Sequence, residues 1–183
     1  DVRHYEEDVR DIKKIIMIVK EIQPDFVFHL AAQALVRKSY NDPVETYHTN
    51  IIGTLNLLEA LRKLEKSCTV VLITSDKCYE NVEWVWGYRE TDALGGLDPY
   101  SASKGATELV IRSHVKSFFQ KDGPVRIAIG RSGNVIGGGD WAADRIVPDC
   151  VRSWSKGNSV QLRNPQSTRP WQHVLEPLSG YLT

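Results

Sequence analysis

No run of apolar residues in this sequence approaches the roughly 18 that a membrane-spanning helix needs, and no basic-then-apolar opening resembles a secretory leader. Cysteine is scarce. Cys68, Cys78 and Cys150 are odd in number and too widely spaced to act as paired metal ligands, which speaks against both a disulfide framework and a zinc site. Such thiols suit a reducing compartment, so a cytoplasmic protein without a metal is expected. An excess of one charge is also lacking. With 23 basic and 23 acidic side chains the formal net charge is zero, which leaves no broad electrostatic footprint for nucleic acid or an anionic membrane. There are no internal repeats and no low-complexity stretches.

What is present is the composition of a globular domain, 42% hydrophobic and 25% charged, in 183 residues, enough to bury a core. Strand-like and helix-like segments alternate. VRHYEE (2–7) reads as a strand, and DIKKIIMIVKEIQ places Ile12, Ile15, Ile16, Val19 and Ile22 on one helical face before Pro24-Asp25 ends it. FVFHL is a short apolar strand, and Pro43 opens a helix that carries Leu55, Leu58 and Leu61. TVVLITS is the next strand. A long loop rich in Gly, Trp and charge follows, from Asp76 to about Asp98. Then come a helix over about Tyr100–Gln120, the strand VRIAIGR, the run GGGD, a helix near Ile146–Ser155, the strand VQLR and a last helical stretch, PLSGYLT. Alternation of this kind predicts an α/β fold, a parallel sheet covered by helices on both faces. Ligands bind such sheets beyond the carboxyl ends of the strands.

Two segments place reactive side chains there. TSDKCYEN (74–81) sets a hydroxyl, a carboxylate, an amine, a thiol and a phenol where an apolar strand ends. One loop later, Tyr100-Ser-Ala-Ser-Lys104 heads a long helix, and a spacing of four residues puts the phenol and the ammonium on one face. A neighbouring ammonium favours phenolate, which makes such a tyrosine a usable base near neutral pH. Alone, Y-x-x-x-K is a common pattern; a strand-end Ser-Asp one loop upstream makes it specific.

These residues resemble the extended short-chain dehydrogenase/reductases that act on nucleotide sugars. The resemblance runs through D-V-R-D (8–11), H-L-A-A (29–32), T-N-I-I-G-T (49–54), the strand-end TSD, Y-S-A-S-K and G-N-V-I-G (133–137). The longer blocks SDKCYEN, EWVWGYRE, NVIGGGDW and RPWQHVLEP are similar to the branch of that family that dehydrates CDP-glucose. The fold implied is a Rossmann-like doubly wound parallel sheet. The strand, G-x-G-x-x-G turn and helix with which a dinucleotide-binding sheet opens are missing from this sequence, and IGGGD (136–140) has another spacing. The chain therefore reads as an internal segment: a partial NAD-binding domain with the catalytic residues over 1–140, and the start of a nucleotide-sugar lobe over 141–183. Alone it is expected to be inactive and aggregation-prone, because an unpaired edge and apolar faces are left open.

The resemblance also implies roles. Asp8 and Val9 border the adenine of NAD, while Leu30, Ala31, Ala32 and Thr49 line the dinucleotide. Tyr100 is the base at the sugar 4-hydroxyl, Lys104 supports it and holds the nicotinamide ribose, and Ser75 stands near the 4-oxygen. Asp76 and Lys77 match the acid–base positions for removing water across C5 and C6, with the assignment between them open. A lysine there departs from the deoxythymidine-diphosphate branch, where the residue is acidic, and Trp84 and Trp86 are expected to wall off the carboxyl. Asn134, Arg145 and Arg169 are the expected substrate-binding residues, the guanidiniums suiting phosphate oxygens. Asn50 is expected to brace backbone and His173 to be structural. The implied cofactor is NAD, the substrate a nucleotide sugar, CDP-glucose above others, and the assembly a homo-oligomer. Two rivals stand beside this reading. A 4-epimerase would need no Asp76–Lys77 pair, and a non-catalytic nucleotide-binding protein would need no intact Ser75, Tyr100 and Lys104.

Overall fold

The computed structural model describes residues 2–183. Two compact units emerge, the first ending at Arg131 and the second running Ser132–Thr183. The first unit contains α1 (Ile12–Ile22), β1 (Phe26–His29), α2 (Val36–Asn41), α3 (Pro43–Tyr47), α4 (Gly53–Leu61), β2 (Cys68–Ile73), α5 (Pro99–Phe118) and β3 (Val125–Gly130). A π-helical turn, His48–Ile52, joins α3 to α4.

Helix starts follow the capping residues. Asp11 accepts from the backbone N–H groups of Lys13 and Lys14 (3.0 and 3.2 Å), and α1 ends on Gln23 in the left-handed region. Asp42 caps α3 through Glu45 N–H (2.9 Å), ahead of Pro43. Asp98 accepts from Ser101 N–H and Oγ (3.0 and 2.5 Å) and starts α5 just before Pro99 and Tyr100.

The strands form a parallel sheet in the order β1-β2-β3, with Val27 beside Val70 and Val70 beside Ile127. On that face Val70, Leu72 and Val125 meet Val19 of α1, Leu58 and Leu61 of α4 and Ile111 of α5. Burying each of these side chains contributes roughly 1.5–3 kcal/mol. The helices α1, α4 and α5 meet the sheet on this face, while Phe26 and Phe28 are 67% and 40% exposed. Strands added in one direction through crossovers of one hand put every connecting helix on the same side.

Residues 2–7 and 160–163 form no strand, because no described strand pairs with them. The six-residue α2 and the π turn are not visible in the sequence pattern. The helix is too short for a period to show, and an inserted residue in the turn displaces the period.

The second unit contains β4 (Asn134–Ile136), α6 (Ile146–Trp154), β5 (Trp171–His173) and α7 (Leu175–Leu182), with β4 and β5 parallel and Asn134 opposite Trp171. The two glycines of G-N-V-I-G serve this pairing. A Cβ on Gly133 would lie 2.7 Å from Pro170 Cγ, and one on Gly137 would lie 2.9 Å from Val174 Cγ1. Among the described residues no helix is long and apolar enough to cross a membrane.

Candidate active site

The ladder between β2 and β3 closes with Thr74 N–H donating to Gly130 O (2.8 Å), and the chain then turns. Ser75 Oγ accepts from Lys77 N–H (3.2 Å) and donates to Asp76 Oδ1 (2.9 Å), capping a single 3-10 turn over Asp76–Cys78. Ser75 is buried while Asp76 and Lys77 are half-buried, so the strand end presents a hydroxyl, a carboxylate and an amine within three residues. The turn packs directly on α5. Glycine permits that approach: a Cβ on Gly105 would sit 3.0 Å from Gly95 O and 3.2 Å from Cys78 O. Gly96 adopts φ 156°, where a Cβ would strike the backbone of Ser101 and Ala102.

On α5, Tyr100 and Lys104 are both buried on the inward face. Ser39 Oγ on α2 accepts from Tyr100 N–H (3.2 Å), tying the helix start to the chain after β1. Lys104 is 6% exposed, and burial lowers its pKa to about 8. His29, at the end of β1, is pushed down to about 4 by burial first and the nearby Lys104 charge second. Its Nε2 lies 3.0 Å from Thr54 Oγ1.

A web of buried amides and hydroxyls sets β1, the π turn and α5 against one another. Asn50 Oδ1 accepts from Gln33 N–H (2.8 Å), while its Nδ2 donates to Gln33 O (3.1 Å) and Ser103 Oγ (2.8 Å). The Asn50 carbonyl accepts from Thr54 and Thr107 hydroxyls (2.8 and 3.1 Å). Its amide therefore braces backbone, the role its chemistry suggests.

Glu108, 0% exposed, lies one turn beyond Lys104. Its Oε1 accepts from Thr74 Oγ1 (2.7 Å) and Arg131 Nε (2.5 Å), and its Oε2 pairs with Arg131 Nη2. Burial alone would raise this carboxyl, but the Arg131 and Thr74 hydrogen bonds outweigh burial and hold it below the usual carboxylate range. Arg131 Nη1 donates to Tyr79 Oη (2.7 Å), and Tyr79 stacks on Tyr88 with ring centroids 5.0 Å apart. Cys78, buried beside this group, is pushed up to about 12, chiefly by burial, and so is an unreactive thiol at neutral pH.

The expected cofactor residues lie in the first unit. Asp8 is gripped by Arg10, whose Nε lies 2.9 Å from both carboxylate oxygens, and this holds its pKa at about 2. Val9 abuts Gly53, where a Cβ would come within 2.7 Å of Val9 Cγ2. Leu30 and Ala31 are exposed, Ala32 and Thr49 half-buried.

The expected substrate residues lie in the second unit. Asn134 N–H donates to Pro170 O (3.1 Å), which brings Asn134 beside Arg169, itself exposed. Arg145 stands at the N-terminus of α6 with its Nε 3.3 Å from Asp140 Oδ2. Trp86 is 74% exposed and Trp84 packs on Tyr88 (5.5 Å), so neither forms the apolar wall expected at Asp76. The loop tip folds on its own aromatic rings instead.

Sequence reading gave no role to Glu108 or Arg131, and none of their own to Tyr79 and His29, which it met only inside longer motifs. One signal was available: Tyr100, Lys104 and Glu108 recur every four residues, so a carboxylate shares the buried face of Tyr100 and Lys104.

With this geometry in place, comparison with known proteins is decisive. The family described as GDP-mannose 4,6 dehydratase matches residues 1–181. The chain belongs to that family. It is 55% identical over 179 residues to the CDP-glucose 4,6-dehydratase of Salmonella typhimurium, covering 96% of this chain and 50% of that protein. A UDP-glucose 4-epimerase of Thermotoga maritima, solved with UDP-glucose, superposes with a TM-score of 0.84 at 26% identity, over 97% of this chain and 57% of the other. A double mutant of the dTDP-glucose 4,6-dehydratase of Streptomyces venezuelae, solved with NAD, gives 0.86 at 23% identity, over 98% and 53%, a likeness of fold. The chain thus spans about half the length of the relatives it matches.

Proposed function

We propose that this chain carries the catalytic half of a CDP-glucose 4,6-dehydratase, a hydro-lyase that converts CDP-glucose to CDP-4-keto-6-deoxyglucose. The observation that carries the reading is the Ser75–Asp76–Lys77 turn packed on the α5 face that bears Tyr100 and Lys104. The 55% identity to a CDP-glucose 4,6-dehydratase supports the base and the branch.

The residues present fit NAD on one structural ground: Lys104, 6% exposed and one turn from Tyr100 on the same buried face, carries an ammonium suited to donate to ribose hydroxyls. Asp8, Val9, Leu30, Ala31, Ala32 and Thr49 would hold the rest of the dinucleotide. When bound, NAD supplies a hydride acceptor at C4 and the same hydride again at C6.

Tyr100 Oη takes the 4-hydroxyl proton, with the Lys104 charge one turn away, and Ser75 Oγ orders the 4-oxygen. The resulting ketone acidifies C5–H. Of Asp76 and Lys77, one removes the C5 proton and the other donates a proton to the departing 6-hydroxyl, which leaves as water. A proton returns to C5, so the net change is loss of one water. Asn134, Arg145 and Arg169 bind the sugar diphosphate, and the assembly is a homo-oligomer in the cytoplasm.

The test mixes the full-length protein with NAD and CDP-glucose and follows the 4-keto product by its absorbance in alkali. Product without net NADH, lost in Tyr100→Phe and Lys77→Ala, is the expected result. Accumulation of the C4 epimer instead would assign the site to a 4-epimerase and remove the roles given to Asp76 and Lys77.

A further inference from the structure

The three residues given the proton transfers, Ser75, Asp76 and Lys77, are flanked by Thr74 and Tyr79, and both flanks lead to one carboxylate. Glu108 Oε1 receives the Thr74 hydroxyl directly at 2.7 Å. On the other flank Tyr79 Oη receives Arg131 Nη1 at 2.7 Å, and Arg131 is paired with Glu108 through Nε at 2.5 Å. Glu108 itself rides on α5, one turn from Lys104 and two from Tyr100. Four segments therefore meet at a fully buried carboxylate: the end of β2, the turn's exit, the end of β3 and the catalytic helix.

Nothing in the chemistry of dehydration needs Glu108 to touch substrate, and with 0% exposure it has no access to one. Its carboxylate serves the two ends of the catalytic turn and also faces Arg112 Nη2 at 3.5 Å on its own helix. A buried carboxylate paired with a guanidinium is rigid because neither partner can exchange its mate for water. Cys78, inside the turn, also lies against Glu108, and backbone bonds from Glu80 N–H to Ala93 O (2.9 Å) and from Gly95 N–H to Cys78 O (2.9 Å) fasten the turn to a loop.

We propose that Glu108, acting through Thr74 and through Arg131 and Tyr79, is a positioning residue that sets the Ser75–Asp76–Lys77 turn in register with Tyr100 and Lys104. It rests on the dehydratase reading for the consequence in turnover, though the clamp itself is a property of the fold. The oxidising pair sits on the helix and the eliminating pair sits on the turn. The carboxylate that joins them keeps a sugar oxidised at C4 within reach of the groups acting at C5 and C6.

The decisive variant is Tyr79→Phe in the full-length protein, because it removes the Arg131-to-phenol bond and leaves the buried ion pair intact. Expected is a fall in kcat of about 10-fold, with KM for CDP-glucose changed by less than about 2-fold. Amide hydrogen exchange of residues 76–81 should quicken by about 10-fold, as loss of one hydrogen bond to a charged group implies. Glu108→Gln, which keeps the shape and removes the charge, should lower kcat further. Glu59→Gln, which breaks the distant Glu59–His114 pair (3.0 Å) between α4 and α5, should alter neither readout.

Unchanged exchange and unchanged kcat in Tyr79→Phe would overturn the clamp. So would a fall in kcat matched by an equal fall in folded fraction. A wild-type protein that forms no 4-keto product defeats the dehydratase reading instead, and the exchange of residues 76–81 then decides the clamp on its own.

Discussion

Among the described residues the first unit takes one ion pair out of water, beside exposed pairs such as Arg10–Asp8, whereas the pairs of the second unit lie at the surface. In the first, Glu108 and Arg131 pair with side-chain exposures of 0% and 14%, and Lys104 and His29 are buried as well. In the second, Arg163 pairs with Asp144 and Arg152 with Asp149 at the surface, and Arg169 is exposed. A pair removed from water holds its geometry because its members have nowhere else to bond, whereas a hydrated pair exchanges partners with solvent at little cost. The difference matches what each unit is proposed to do. Proton transfer needs groups fixed to a fraction of an ångström, while a flexible diphosphate is gripped by side chains free to adjust.

Breaking the buried pair should have the largest effect. Glu108→Ala strands Arg131 in a buried site, and stability in urea unfolding should fall by about 3–5 kcal/mol. If it falls by less than 1, water reaches the pair and the contrast between the units weakens. Lys104→Met sharpens the same comparison from the other side. Because burial depresses the folded pKa to about 8 from 10.5, the folded state binds fewer protons than the unfolded chain between those values. Stability then rises with pH across that window and is lost as pH falls through it. The variant should accordingly be more stable at pH 7 by roughly 3 kcal/mol, with the gain vanishing above pH 10.5. Activity should be lost along with the ammonium.

His29 gives a window at acid pH. Its folded pKa lies near 4 against 6.5 unfolded, so its contribution is complete above 6.5 and lost as pH falls toward 4. Wild type should lose up to about 3 kcal/mol more over that range than His29→Gln, read as the difference between their thermal midpoints. The smallest effect belongs to the second unit. Asp144→Asn, which breaks the exposed pair with Arg163, should cost less than about 1 kcal/mol and less still in high salt. A larger loss would mean that the second unit, too, depends on a fixed ion pair.

Much of this site was legible in the residues. The strand-end Ser-Asp-Lys and the Y-x-x-x-K pair could be placed because helix and strand periods are local properties, set by spacing within one element. Glu108 shows where local reading stops. It reads as one more charge on an amphipathic helix, and only contact with Thr74 and Arg131, 34 and 23 residues away, makes it a crosslink. Trp84 and Trp86 show the converse, since their proximity in sequence to Asp76 suggested a wall that the folded loop does not build.

The sequence by itself determined the alternation of strands and helices, the helix starts and the chemistry at the carboxyl end of β2, because these follow from steric preference, capping and hydrophobic period. Tertiary structure alone decided which amide and carboxylate are buried, and that a single glutamate joins both ends of the turn after β2. Those outcomes depend on which distant side chains share a desolvated space, and no spacing along the chain encodes that.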